Sequence, residues 1–335
     1  DVSISGNGRA GIAVQGTADD PNAFLQIIGN GSVDISGNSG GGLRIANRTE
    51  AEVVYNDAVT ISGNGATAKD AVVYNAGTLA IEDNRSVTFS GNTAKYDIYN
   101  DGKLTLVANE GQRITFQHGV KNSATGTATL GAGEAGTYAF KDGAASGVSL
   151  ALANATIAKN GGMVWEDGTL TLADVAFGGD VTIDLGYFAD KNKLDLTGAT
   201  FASGSTVSFI LDLGSEAGKQ GAGPAFSFGY PWQDMEEDSL TKVYVNMGDY
   251  FTGDISALDG VDLALTVTGT LADDAQLIID TDGFALDRKD VDVPDCIYRR
   301  TADGRIYYNA PEPATATLSL LALAALCARR RRCRG

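Results

Sequence analysis

Acid–base chemistry in this chain has a single imidazole to draw on, His118, within Phe116-Gln117-His118-Gly119. A Ser-His-Asp or Cys-His site would have to use it, and no Gly-x-Ser-x-Gly elbow stands in a strand-turn-helix context. One histidine and three scattered cysteines cannot build a zinc site of several histidines or paired thiolates. His118 is therefore read as a corner residue. Carboxylates are the other reagent, and Asp19-Asp20, Glu236-Glu237-Asp238 and Asp273-Asp274 are adjacent in sequence. Glycan cleavage needs two or three carboxylates close together on one face, or Ca²⁺ with a basic residue. Strand neighbours point to opposite faces and turn carboxylates are solvated, so none of these groups makes a good acid/base pair. Neither a Gly-Gly-x-Gly-x-Asp nonapeptide nor an EF-hand loop is present, so no cofactor is expected beyond scattered weak Ca²⁺ sites. Trp165, Tyr230 and Trp232 offer rings on which sugars could stack, but covering the core at a coil end or domain junction is the preferred role.

The elements that must carry these residues come from an unusual composition: 43 glycines, 6 prolines and 3 cysteines in 335 residues. The absence of a strict Gly-X-Y period excludes collagen, and three cysteines cannot staple a chain of this length. With 43% hydrophobic residues, enough apolar surface remains to form a core. The net charge is −17; five arginines and Glu312 give the stretch from Pro311 a net +4, leaving −21 on Asp1 to Ala310. Such a body repels nucleic acid, which is excluded as a partner.

Ser-Gly-Asn recurs at Ser5, Ser36, Ser62 and Ser90, each time after Ile or Phe, at offsets of 31, 26 and 28. Val72-Val73-Tyr74-Asn75 returns 25 residues later as Asp97-Ile98-Tyr99-Asn100, and Gly77-Thr78-Leu79-Ala80-Ile81 as Gly102-Lys103-Leu104-Thr105-Leu106. Periods in the twenties point to a solenoid. Each unit holds about three short alternating runs separated by Asn, Asp and Gly, which predicts three strands per coil of a parallel, right-handed β-helix with asparagine ladders at its corners. The fold class is all-β: a repeat β-helix over 1–130, an irregular continuation over 131–213, a β-rich cap or small β domain over 214–310 in which Val261 to Thr268 and Leu277 to Asp280 are read as antiparallel strands, and a terminal segment, 311–335. Phe89-Ser90-Gly91-Asn92, the apolar-Tyr-Asn strands and Gly40-Gly41-Gly42 resemble the repeats of polymorphic outer-membrane proteins and autotransporter passenger domains. That resemblance implies the fold more than an adhesive function.

The segment 314–328, ATATLSLLALAALCA, has no charge and is followed by Arg329, Arg330, Arg331, Arg332 and Arg334. Fifteen helical residues rise about 22 Å, so a transmembrane helix here is marginal and is completed by snorkelling arginines that hold the C-terminus on the cytoplasmic side. Pro311-Glu312-Pro313, the short Ala/Leu helix and the arginine cluster resemble a PEP-CTERM sorting signal. The resemblance implies an exported protein, held transiently in the inner membrane and cut near Pro311, Glu312 and Pro313 by an exosortase, a membrane protease, before display on the bacterial envelope surface or in the extracellular polymer. Asp1 opens directly on a strand-like run, so the leader such a protein needs is expected upstream. Cys327 and Cys333 fall in the anchor and Cys296 outside it, so no intramolecular disulfide is expected, though Cys296 could pair between chains. The function expected is non-catalytic: an adhesin or a matrix component that meets surface glycans. The alternative is a β-helix polysaccharide hydrolase or lyase using carboxylates of successive coils.

Overall fold

A computed structural model describes residues 1–17, 22–131, 136–140, 144–146, 149–150, 155–159, 169–188, 193–215, 217, 241–253, 255–272 and 275–310. Its residues fall into two units, Asp1–Leu211 with Gly248–Thr266, and Asp212–Met247 with the chain from Val267 onward.

The first unit follows from period-two alternation. In Ser32–Ser36 every second side chain, Val33 and Ile35, is buried, and the next coil repeats the pattern in parallel register, Val33 beside Val59 and Ile35 beside Ile61. Three such faces stack. The first runs from Val2–Ser5 through Ser32–Ser36, Ala58–Ser62, Ser86–Ser90 and Arg113–Phe116 to Asp262–Thr268. The second runs from Ile12–Val14 through Leu43–Ile45, Ala71–Asn75, Tyr96–Asn100 and Gly119–Asn122 to Phe251–Thr252. The third runs from Phe24–Ile28 through Glu50–Val54, Thr78–Glu82 and Lys103–Val107 to Thr200–Phe201. The result is a parallel β-solenoid of about eight turns.

Equivalent residues of successive coils meet inside. Phe89, Phe116 and Phe140 form a column with ring centroids 5.7 and 4.9 Å apart, all three buried. Each buried ring contributes about 2–3 kcal/mol from removal of apolar surface. Tyr138 occupies an inward position that is Ile114 in the preceding coil. Its hydroxyl donates to the Leu106 carbonyl (3.2 Å) and accepts from the Ala108 N–H (2.9 Å), and burial pushes its pKa up to about 12.

Two of the three corners are built by a left-handed residue followed by an inward asparagine. Gly37, Gly63 and Gly91 have φ of 62°, 60° and 61°, where a side chain would be strained. The asparagines that follow form a ladder: Asn7 Nδ2 donates to Asn38 Oδ1 (2.8 Å), Asn38 to Asn64 (2.9 Å) and Asn64 to Asn92 (3.3 Å). A second ladder joins Asn30, Asn56 and Asn84, and a third joins Asn75, Asn100 and Asn122. Asn38, Asn56, Asn64, Asn75 and Asn100 are buried, so each bond contributes about 1 kcal/mol while an unmet partner costs about 1–3 kcal/mol.

The second unit contains a four-stranded sheet in the order Thr241–Asn246, Ala275–Asp280, Arg305–Asn309, Ile297–Ala302. One of its three pairings departs from the expected antiparallel direction. Thr241–Asn246 and Ala275–Asp280 run parallel, because the chain between them makes a long crossover through residues 248–266 instead of a hairpin, and Asp262–Thr268 joins the first face of the solenoid. The other two pairings are antiparallel. Among the described residues no helix is long and apolar enough to cross a membrane, and the segment 314–328 lies outside them.

Candidate functional site

Pro311, Glu312 and Pro313, the arginines Arg329 to Arg332 and Arg334, and the thiols Cys327 and Cys333 all lie outside the described residues. So do Asp19-Asp20, Glu236-Glu237-Asp238, Asp273-Asp274, Trp165, Tyr230 and Trp232. Cys296 is described as a free, half-buried thiol whose pKa is raised by burial and by the neighbouring Asp295 carboxylate. Among the described residues no three His, Cys, Asp or Glu side chains gather to hold a metal ion.

His118 does stand at the first corner. Gln117 takes the ladder position there, its Oε1 accepting the Asn92 N–H at 2.9 Å. The next two backbone N–H groups, of His118 (2.6 Å) and Gly119 (2.9 Å), donate to one oxygen of Asp97. Asp97 is fully buried, and its other oxygen and His118 Nδ1 are both buried without a protein partner among the described residues. Burial pushes Asp97 up to about 6 against the pull of the two N–H donors. Asp97 can therefore hold a proton near neutrality inside the wall between coils. Asp97 escaped the sequence reading, although aligning Val72-Val73-Tyr74-Asn75 with Asp97-Ile98-Tyr99-Asn100 already put a carboxylate at the place of buried Val72.

The second face carries a polar and aromatic surface. Parallel register sets Arg44, Tyr74, Tyr99 and Lys121 side by side in four successive coils. The Tyr74 and Tyr99 rings lie 6.3 Å apart and those of Tyr96 and Tyr99 6.0 Å apart. Lys69 Nζ stands 6.0 Å from the Tyr99 ring and Lys95 Nζ 5.2 Å from the Tyr96 ring. Tyr74 donates to Asp101 (2.9 Å), and burial and that carboxylate together raise its pKa.

In the second unit Asp280 receives Tyr244 Oη and Arg305 Nε, the latter at 2.8 Å. Burial alone would raise Asp280, but these donors hold it below the usual carboxylate range, while Tyr244 is pushed up to about 12 by burial and by Asp280. The cluster staples neighbouring strands across the sheet.

Comparison with known proteins adds what this geometry lacks. No curated protein and no solved structure matches the chain significantly. One family model does, that of the PEP-CTERM protein-sorting motif, over residues 309–332. The chain therefore carries a PEP-CTERM sorting motif behind a β-solenoid body, and that motif marks an exported surface protein, anchored transiently at its C-terminal end and processed by an exosortase.

Proposed function

We propose that the mature chain is a non-catalytic binding element of the cell surface, an adhesin or a component of the envelope or extracellular matrix that meets surface glycans. The observation carrying this reading is the sorting motif at 309–332, attached to a body whose described coils use their buried asparagines as coil-to-coil ladders. A rod of short coils presents the same outward positions at regular intervals, which suits repeated contact with a polymer. Cleavage near Pro311 to Pro313 by the exosortase releases the basic tail and leaves a strongly acidic, soluble body at the surface.

The test is incubation of surface-extracted protein with a panel of surface polysaccharides, following both retention and the appearance of new reducing or unsaturated chain ends. Retention with no new ends is expected. Production of chain ends that tracks the protein through purification would overturn the reading in favour of a hydrolase or lyase.

A further inference from the structure

The second face of the solenoid is chemically unlike the rest of this acidic protein. Between Asp1 and Gly131 the sequence holds thirteen Asp and Glu against nine Lys and Arg, yet four of those nine, Arg44, Lys69, Lys95 and Lys121, gather around Tyr74, Tyr96 and Tyr99. Arg44, Lys69 and Lys95 are exposed, and no salt bridge ties any of them to a carboxylate among the described residues. The two acids nearby are already engaged: Asp101 accepts the Tyr74 hydroxyl, and Asp70 accepts the Lys95 backbone N–H at 3.3 Å. Lys121 reaches Ser146 Oγ at 3.0 Å and closes the row at its far end.

We propose that this face, with Tyr74, Tyr96 and Tyr99 as its floor and Arg44, Lys69, Lys95 and Lys121 as its cations, binds an anionic polysaccharide of the uronic-acid type. The row repeats at the strand spacing of about 4.8 Å, so Arg44 to Lys121 spans about 14 Å, enough for a few sugar rings. Half-buried tyrosines offer flat faces to the C–H side of a pyranose, and the cations stand where carboxylates on successive rings can reach them. The charge left on the body argues against nucleic acid, whose dense phosphates it repels, while a polymer with one carboxylate per ring is drawn to the local cations. The inference names the partner for the surface-binding reading and rests on it for its setting alone.

The experiment measures retention of surface-extracted protein on immobilised alginate, with neutral dextran and duplex DNA as parallel surfaces. Alginate retention that weakens as salt rises is expected, with none on dextran and at least tenfold less on DNA. The combined variant R44Q/K69Q/K95Q should bind alginate at least tenfold more weakly, Tyr99→Ala about fivefold, and Tyr99→Phe like wild type. The three cations are exposed, so the combined variant keeps the test valid if Tyr99→Ala fails to fold. Absence of alginate retention, equal binding by the combined variant, or equal binding to dextran or DNA would overturn the proposal. Because retention is read on purified protein, its failure leaves export and display untouched.

Discussion

Replacing Asn64 by alanine probes the ladder at its most enclosed point. Asn64 Oδ1 accepts both the backbone N–H (3.0 Å) and the side-chain Nδ2 (2.9 Å) of Asn38, and its own Nδ2 donates to the Ile35 carbonyl (2.8 Å) and to Asn92 (3.3 Å). Asn64→Ala removes four bonds and strands the Asn38 N–H in a site with no exposure. At about 1 kcal/mol per lost bond, with a further 1–2 for the stranded group, the loss is about 5–6 kcal/mol. Asn30 stands at the beginning of its own ladder, donating to Ile28 and Asn56 while no protein donor reaches its Oδ1 among the described residues. Asn30→Ala removes two bonds, one of them exposed to water, strands no buried N–H and should cost about 1–2 kcal/mol. Urea unfolding followed by circular dichroism, together with amide exchange at Asn38, separates the two. Equal losses for both variants, or an Asn38 amide protected as well in Asn64→Ala as in wild type, would refute the view that ladder direction and burial set the energy.

Three further outcomes follow from other parts of the molecule. Phe116→Ala opens the middle of the ring column and should cost about 3–5 kcal/mol in the same unfolding assay. The raised Asp97 pKa disfavours the folded state once the carboxylate ionises, so its cost is full above pH 6 and disappears as pH falls toward 4. Asp97→Asn keeps the acceptor for His118 and Gly119 but removes the charge, and it should unfold at higher urea than wild type at pH 8 and show no such gain at pH 4. Asp280, held below its usual range, contributes the opposite way: its stabilisation is present above about pH 4 and lost as pH falls through its lowered value. Asp280→Asn should cost about 1 kcal/mol at pH 7, less in high salt because Arg305 is substantially exposed.

The solenoid was legible because its corners repeat a chemical rule in the letters themselves. Ser-Gly-Asn marks a left-handed residue followed by a buried amide, and the strand runs between such corners alternate cleanly. The ladder of Asn30, Asn56 and Asn84 was not legible by that motif. There the left-handed residue is Gly29, Tyr55 or Asp83, with φ of 67°, 56° and 55°, so the geometry persists while the letters change. Gln117 hides the fifth rung of the first ladder in the same way, since a longer amide reaches the same N–H. The one parallel pairing in the second unit escaped because alternation shows which side chains face inward and carries no sign for parallel or antiparallel pairing. The tyrosine row was visible as a repeated strand, but Arg44 and Lys121 join it only through register, and Lys69 and Lys95 reach its rings from the segments before the strands.

Sorting by the C-terminal motif leaves its mark on the mass of the mature chain, which is read by intact-mass measurement of the protein extracted from the cell surface. The expected mass is that of a polypeptide ending at or near Pro311-Glu312-Pro313, lacking the segment 314–328 and every arginine from Arg329 to Arg334. A surface form whose mass still includes those arginines would contradict it.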